Sequence, residues 1–134
     1  MALVLPNQGE GIALEALVGK TAGQNLILKL YKNDVTPGET DTESTYTVAD
    51  FTGYADQTLT ASSWVKTEGA PSDVTYPQCT FTSTAGSQSQ AIYGYYLVQV
   101  SSGKLVWAER FTDGPYIIVN NGDAIKVTPK ITAD

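Results

Sequence analysis

From Asn25 onward, apolar side chains return at every second residue, in short runs broken by turn-forming residues. That spacing matches a strand, whose successive side chains face opposite sides of a sheet, and does not match the 3.6-residue repeat of a helix. Leu26, Leu28 and Leu30 alternate with Ile27, Lys29 and Tyr31. Residues 54–60 and 63–67 read as short strands, the second carrying Trp64. Residues 74–82 read as another, pushed toward a sheet edge by Pro77, which has no N–H to donate to a ladder. The clearest hairpin spans residues 91–100 and 104–111 around Ser101, Ser102 and Gly103. Its first arm places Ile92, Tyr96, Val98 and Val100 on one face, and its second places Leu105, Trp107 and Phe111 together.

A last hairpin is expected to join residues 116–119 to residues 124–127, with Ile125, Val127 and Ile131 completing the alternation. Its turn holds Asn120, Asn121, Gly122 and Asp123, and an Asn-Gly pair suits a type I′ turn because both residues tolerate positive φ. Residues 34–44, 68–72 and 84–90 read as loops or turns, and Thr47 with Asp50 predicts a single helical turn over residues 47–51. Seven or eight short strands with little helix predict an all-β protein. The expected form is an antiparallel β-sandwich or a jelly-roll-like barrel with one short N-terminal helix.

Residues 1–24 break the rhythm. Asn7 followed three positions later by Glu10 resembles a capping box, and Leu14, Leu17 and Val18 recur at helical spacing. Gly19 can end the helix in a left-handed conformation, so a helix is expected over about residues 8–18. Residues 1–6 read as an extended arm stopped by Pro6, with Leu3, Val4 and Leu5 as an apolar tip suited to gripping a neighbour. No repeat or linker divides the chain, so one β-domain over 1–134 is expected, with 1–24 as its arm and helix.

Eight basic residues against fourteen acidic ones give a formal net charge of -6, and the basic residues stand singly. Binding to nucleic acid draws on clustered Lys and Arg, so neither nucleic acid nor an anionic membrane is an expected partner. No apolar run approaches the ~20 residues that span a bilayer, and the first residues lack the basic start of a secretory signal.

The chain has no histidine, which removes the commonest general base and zinc ligand. No cofactor is expected. Gly9, Glu10 and Gly11 precede a helix rather than follow a strand, so they read as a flexible helix start and not a phosphate loop. Glu109, beside Arg110 on an apolar strand face, is the best single candidate for an acid of raised pKa. Asp34, Glu39, Asp41 and Glu43 share one loop and offer oxygens to calcium, but without the order of an EF-hand. Cys79, the only cysteine, shares a face with Phe81 and reads as a buried thiol. Eight tyrosines and two tryptophans raise the question of a sugar-stacking platform. Tyr93 and Tyr95 fall on one face with Leu97, to be covered by the helix or a neighbour, or left as a patch.

Five stretches, 28–37 (LKLYKNDVTP), 46–54 (YTVADFTGY), 93–96 (YGYY), 105–111 (LVWAERF) and 121–129 (NGDAIKVTP), resemble small virion proteins of tailed bacteriophages. That resemblance implies a non-enzymatic structural component of the virion. The first expectation is a capsid decoration (cement) protein on the outer surface of the head, bound to the major capsid protein as a dimer or trimer. Its interface would draw on Leu3, Val4, Leu5, Leu14, Leu17, Tyr93 and Tyr95. A tail, fibre or baseplate adaptor or receptor-binding module is the alternative. A carbohydrate-binding module, or a lyase using Tyr and Arg110, is a third.

Overall fold

The computed structural model describes residues 3–133. One helix, α1 (Asn7–Leu17), precedes eleven short strands. These are β1 (Leu26–Tyr31), β2 (Gln57–Leu59), β3 (Val65–Thr67), β4 (Ser72–Thr75), β5 (Cys79–Thr82) and β6 (Gln90–Ile92), followed by β7 (Gly94–Gln99), β8 (Leu105–Arg110), β9 (Tyr116–Ile118), β10 (Ala124–Val127) and β11 (Lys130–Ala133). Every strand pairing is antiparallel. The fold is therefore the all-β one with a short N-terminal helix that the alternation predicts.

The largest sheet has the order β2-β1-β7-β8; smaller sheets pair β10 with β5, β11 with β4 and β3, and β6 with β9. The layering is sandwich-like. Leu28, Leu30, Tyr95, Leu97 and Trp107 of the large sheet share one apolar core with Cys79 and Phe81 of β5, Ile125 and Val127 of β10, Ile92 and Ile118. The outer face of the large sheet carries a second cluster. Tyr31, Tyr96, Val98, Leu105 and Ala108 lie there under Tyr46, with Val35 packed against them. β1 and β7 are thus buried on both faces, as the near-continuous apolar character of GYYLVQ suggests.

Several local expectations give way to tertiary pairing. Leu105 and Trp107, two residues apart, lie in different clusters. The cause is a bulge: Leu97 pairs with Trp107 but Val98 pairs with Leu105, leaving Val106 as an extra residue that flips the alternation. Ile92 likewise leaves the face of Tyr96, because the chain changes partners at Tyr93: β6 pairs with β9, and β7 with β1 and β8. The 74–82 strand splits at Pro77 into β4 and β5, and β4 becomes the centre of its sheet. Residues 47–51 form no helical turn. Val48 bridges to Tyr31, and turns of 3-10 helix sit on either side, at Glu43–Thr45 and Ala61–Ser63. A tight turn closed by Asp123 does form, but Gly122 alone takes positive φ and Asn121 does not, so it is not the expected type I′ turn, and its strands do not pair with each other: β9 goes to β6 and β10 to β5.

The helix begins without the expected capping box. Pro6 takes the cap position with no side-chain hydrogen bond, and Asn7 is already helical. The Glu10 N–H donates to the Pro6 carbonyl (2.9 Å), and the Asn7 N–H is held by the Glu39 carbonyl (2.9 Å). Gly19, at φ 72°, follows the helix end as the sequence predicts.

Candidate functional site

Helix α1 turns its small face inward. Gly9 is buried against β8, where a Cβ would overlap the Val106 carbonyl oxygen, so glycine here permits close approach and is not a flexible start. Gln8 accepts a hydrogen bond from the Leu105 N–H (3.1 Å), and Ile12, one turn along, packs against the core. At 100° per residue, Leu14, Leu17 and Val18 then fall on the far side. They are 64%, 81% and 77% exposed, forming an aliphatic ridge in solvent on a helix clamped to the sheet. This is the reverse of the common arrangement, in which the larger aliphatics of a helix face the core.

The expected interface set is not brought together. The arm, as far as it is described, folds onto its own chain. Val4 exchanges two hydrogen bonds with Ala108 (2.8 and 3.0 Å), extending the large sheet beside β8, and Leu3 and Leu5 pack against the main core. Met1 and Ala2 lie outside the described residues. Leu3, Val4 and Leu5 are therefore corrected from a free grip to part of this chain's own packing. Tyr95 is also corrected: it is a core residue, 3% exposed, whose hydroxyl accepts from Trp107 Nε1 (3.3 Å). Tyr93 is half-buried, with the Arg110 guanidinium 5.1 Å from its ring centroid. Leu14 and Leu17 remain at the surface.

The groups singled out for chemistry are occupied elsewhere. Arg110 pairs with Asp34 (2.7 Å) and donates to the Val35 carbonyl (3.0 Å). Asp41 accepts from the Gly38 N–H (2.8 Å) and the Tyr46 hydroxyl (2.7 Å), so it closes its own loop. Among the described residues, no three His, Cys, Asp or Glu side chains gather as a metal set. Glu109 sits beside Tyr95, whose phenol burial pushes far up, with the Glu109 carboxylate adding to the effect. Among the described residues, no second carboxylate lines the groove that Glu109 shares with Leu3, Thr128, Lys130, Ile131 and Thr132, whereas Asp113 lines another depression with Glu109, Arg110, Phe111 and Tyr116. Cys79 is buried next to the core, and burial raises its thiol pKa.

The aromatics mostly pack against each other. Tyr46 stacks on Tyr96 (4.9 Å) and tilts against Tyr31 (4.8 Å), while Trp64 meets Trp107 and Tyr76 edge-on. Tyr116 packs its ring 5.1 Å from that of Phe111 and is still 40% exposed. No described helix is long and apolar enough to cross a membrane.

A second feature escapes a strand-by-strand reading. The divergence of β9 from β10 leaves a groove of about 380 Å³ along Tyr116, Ile117, Ile118, Asp123, Ala124, Ile125 and Lys126. Both strands read as strands in sequence; which partners they choose is carried by no local signal. Comparison with protein-family models finds no match to this chain. Comparison with curated proteins finds none either.

Proposed function

We propose that this protein is a non-catalytic structural component of a phage virion, a capsid decoration protein that docks on the major capsid protein lattice. The carrying observation is the exposed ridge of Leu14, Leu17 and Val18 on a helix held rigidly against a β-sandwich body. Aliphatic side chains this exposed gain roughly 1.5–3 kcal/mol each when a partner covers them. The contact per copy is modest, and such contacts hold best where many copies act on one lattice. The resemblance of the five sequence stretches to small phage virion proteins supports the same reading.

The test is attachment. Purified protein is mixed with phage heads stripped of it, sedimented, and compared with a Leu14→Glu, Leu17→Glu double variant. The wild type should co-sediment and the variant should lose at least most of its attachment while keeping its melting temperature. Equal attachment of the two proteins rules out the ridge as the docking face. Tyr116, 40% exposed beside the half-buried Phe111, favours a second reading, a tail module that stacks a ring on host glycans. Immunogold labelling of virions separates the two, since the first covers the head and the second marks the tail.

A further inference from the structure

A polar cleft of about 390 Å³ lies between α1 and the β7–β8 turn. Pockets that hold one small ligand start at roughly 300 Å³. Gln99, at the end of β7, lines the cleft and is only 9% exposed. Its Oε1 accepts from the Ser102 hydroxyl (2.7 Å), while its Nε2 has no hydrogen-bond partner among the described residues. Every fully buried side-chain nitrogen and oxygen of the described residues is bonded. The free Gln99 amide therefore reaches solvent, and the opening at this residue is the cleft. A primary amide carries two N–H donors, and donors left unmatched on a nearly buried side chain suit an occupant that accepts from them.

The same division recurs around Gln99. Gln8 Oε1 accepts from the Leu105 N–H (3.1 Å) and Gln24 Oε1 from the Ser101 hydroxyl, so both amide nitrogens are left without a partner among the described residues. Glu15 accepts from the Thr21 hydroxyl (2.7 Å) and has the Lys20 ammonium at 3.9 Å. Lys104, exposed at the rim, forms no ion pair among the described residues. The oxygens of three glutamines are thus spent on the protein, while their nitrogens and one ammonium remain.

We infer that this cleft binds a small polyhydroxylated carboxylate, a sugar acid, through the ligand's oxygens. Three amides spread over the helix, the 21–24 stretch and the turn select several acceptors on one molecule. The Lys104 ammonium makes one of them an anion, since charge-assisted hydrogen bonds are about twice as strong as neutral ones. A single carboxylate matches the single unpaired cation, whereas a polyanion would meet Glu15 in the same cleft. Ring hydroxyls can in turn donate to the lone pairs that Glu15 has left. Leu14 and Leu17 do not line the cleft, so the inference stands apart from the virion proposal and either can fail alone.

Titration of the full chain with sodium glucuronate at constant ionic strength, followed by NMR of the side-chain amides, tests it. The Gln8, Gln24 and Gln99 signals should move together and give one millimolar-range Kd. Glucose, which lacks the carboxylate, and acetate, which lacks the hydroxyls, should each bind at least about tenfold more weakly. Gln99→Glu keeps an oxygen for Ser102 but puts a carboxylate oxygen where the free amide stood, and should abolish binding. Lys104→Gln, at an exposed position that leaves folding intact, should lower the affinity for glucuronate to that for glucose. It decides the question even if Gln99→Glu fails to fold. Still amide signals, shifts confined to other residues, equal binding of glucose or acetate, or unchanged affinity in Lys104→Gln would overturn the inference.

Discussion

Gly9 lies against the carbonyl oxygen of Val106, the extra residue of the β8 bulge, with no room for a Cβ between them. The bulge turns that carbonyl region toward the helix, and the missing side chain lets the helix axis come close. A Gly9→Ala substitution must therefore move α1 or distort β8, and overpacking of this kind costs about 1–3 kcal/mol. Gly11, two residues on, has nothing within 4 Å of its Cβ position. Gly11→Ala should instead stabilise the protein by up to about 1 kcal/mol, through helix propensity. Opposite shifts of the two melting temperatures check the placement of the helix.

The two sides of α1 should respond differently to truncation. Ile12 packs on the core, and Ile12→Ala should cost about 1–3 kcal/mol. Leu17 meets solvent, so Leu17→Ala should stay within about 0.5 kcal/mol of the wild type in urea denaturation. Equal costs would mean that the ridge is buried in solution.

Five tyrosines make the fold sensitive to alkali. Burial holds the phenols of Tyr31 and Tyr96 up at about 12, and those of Tyr46, Tyr54 and Tyr95 higher still. The unfolded chain ionises near 10, so it binds fewer protons than the folded chain above that pH. The stability tied to these groups is complete below about pH 10 and is lost as pH rises toward about 12. Tyrosinate absorbance at these five rings should appear together with loss of the β signal in circular dichroism. Ionisation of all eight tyrosines near pH 10 with the fold intact would contradict the burial of the aromatic cluster.

At the acid end, Asp50 and Asp123 act in the other direction. Lys32 and Gln90 hold the Asp50 carboxyl below its ordinary value, and the Asn120 and Val119 N–H groups do the same for Asp123. Their contribution is present above the usual carboxylate range and fades as pH falls through the lowered values. Asp123→Asn should flatten the acid limb of a pH–stability curve and loosen the turn between β9 and β10.

Cys79 reports on opening. It is 7% exposed and burial raises its thiol pKa, so the reactive thiolate is scarce in the folded state. Labelling by a thiol reagent at pH 8 should be slow in buffer and speed up with denaturant in step with unfolding. Rapid labelling of the native protein would show that β5 separates from the core.

The two-residue rhythm was enough to specify an all-β body, the β7–β8 hairpin and the inward thiol of Cys79, whereas β1, which it would bury on one face, is covered on both. Each of those three depends on side chains near in sequence, and a pleated strand makes period two a local property. The helix was legible for the same reason, with Leu14 and Leu17 read as contacts to a neighbour. Tertiary structure decided the rest. Residues at a distance in the chain determine that Val106 bulges, that the chain changes sheets at Tyr93, that the arm lies on Ala108, and that β9 and β10 take different partners. A hydrogen-bonding edge carries no side-chain signature, since every residue except proline offers the same N–H and C=O. Strand identity is therefore written in the sequence, while strand partnership emerges only when the sheets assemble.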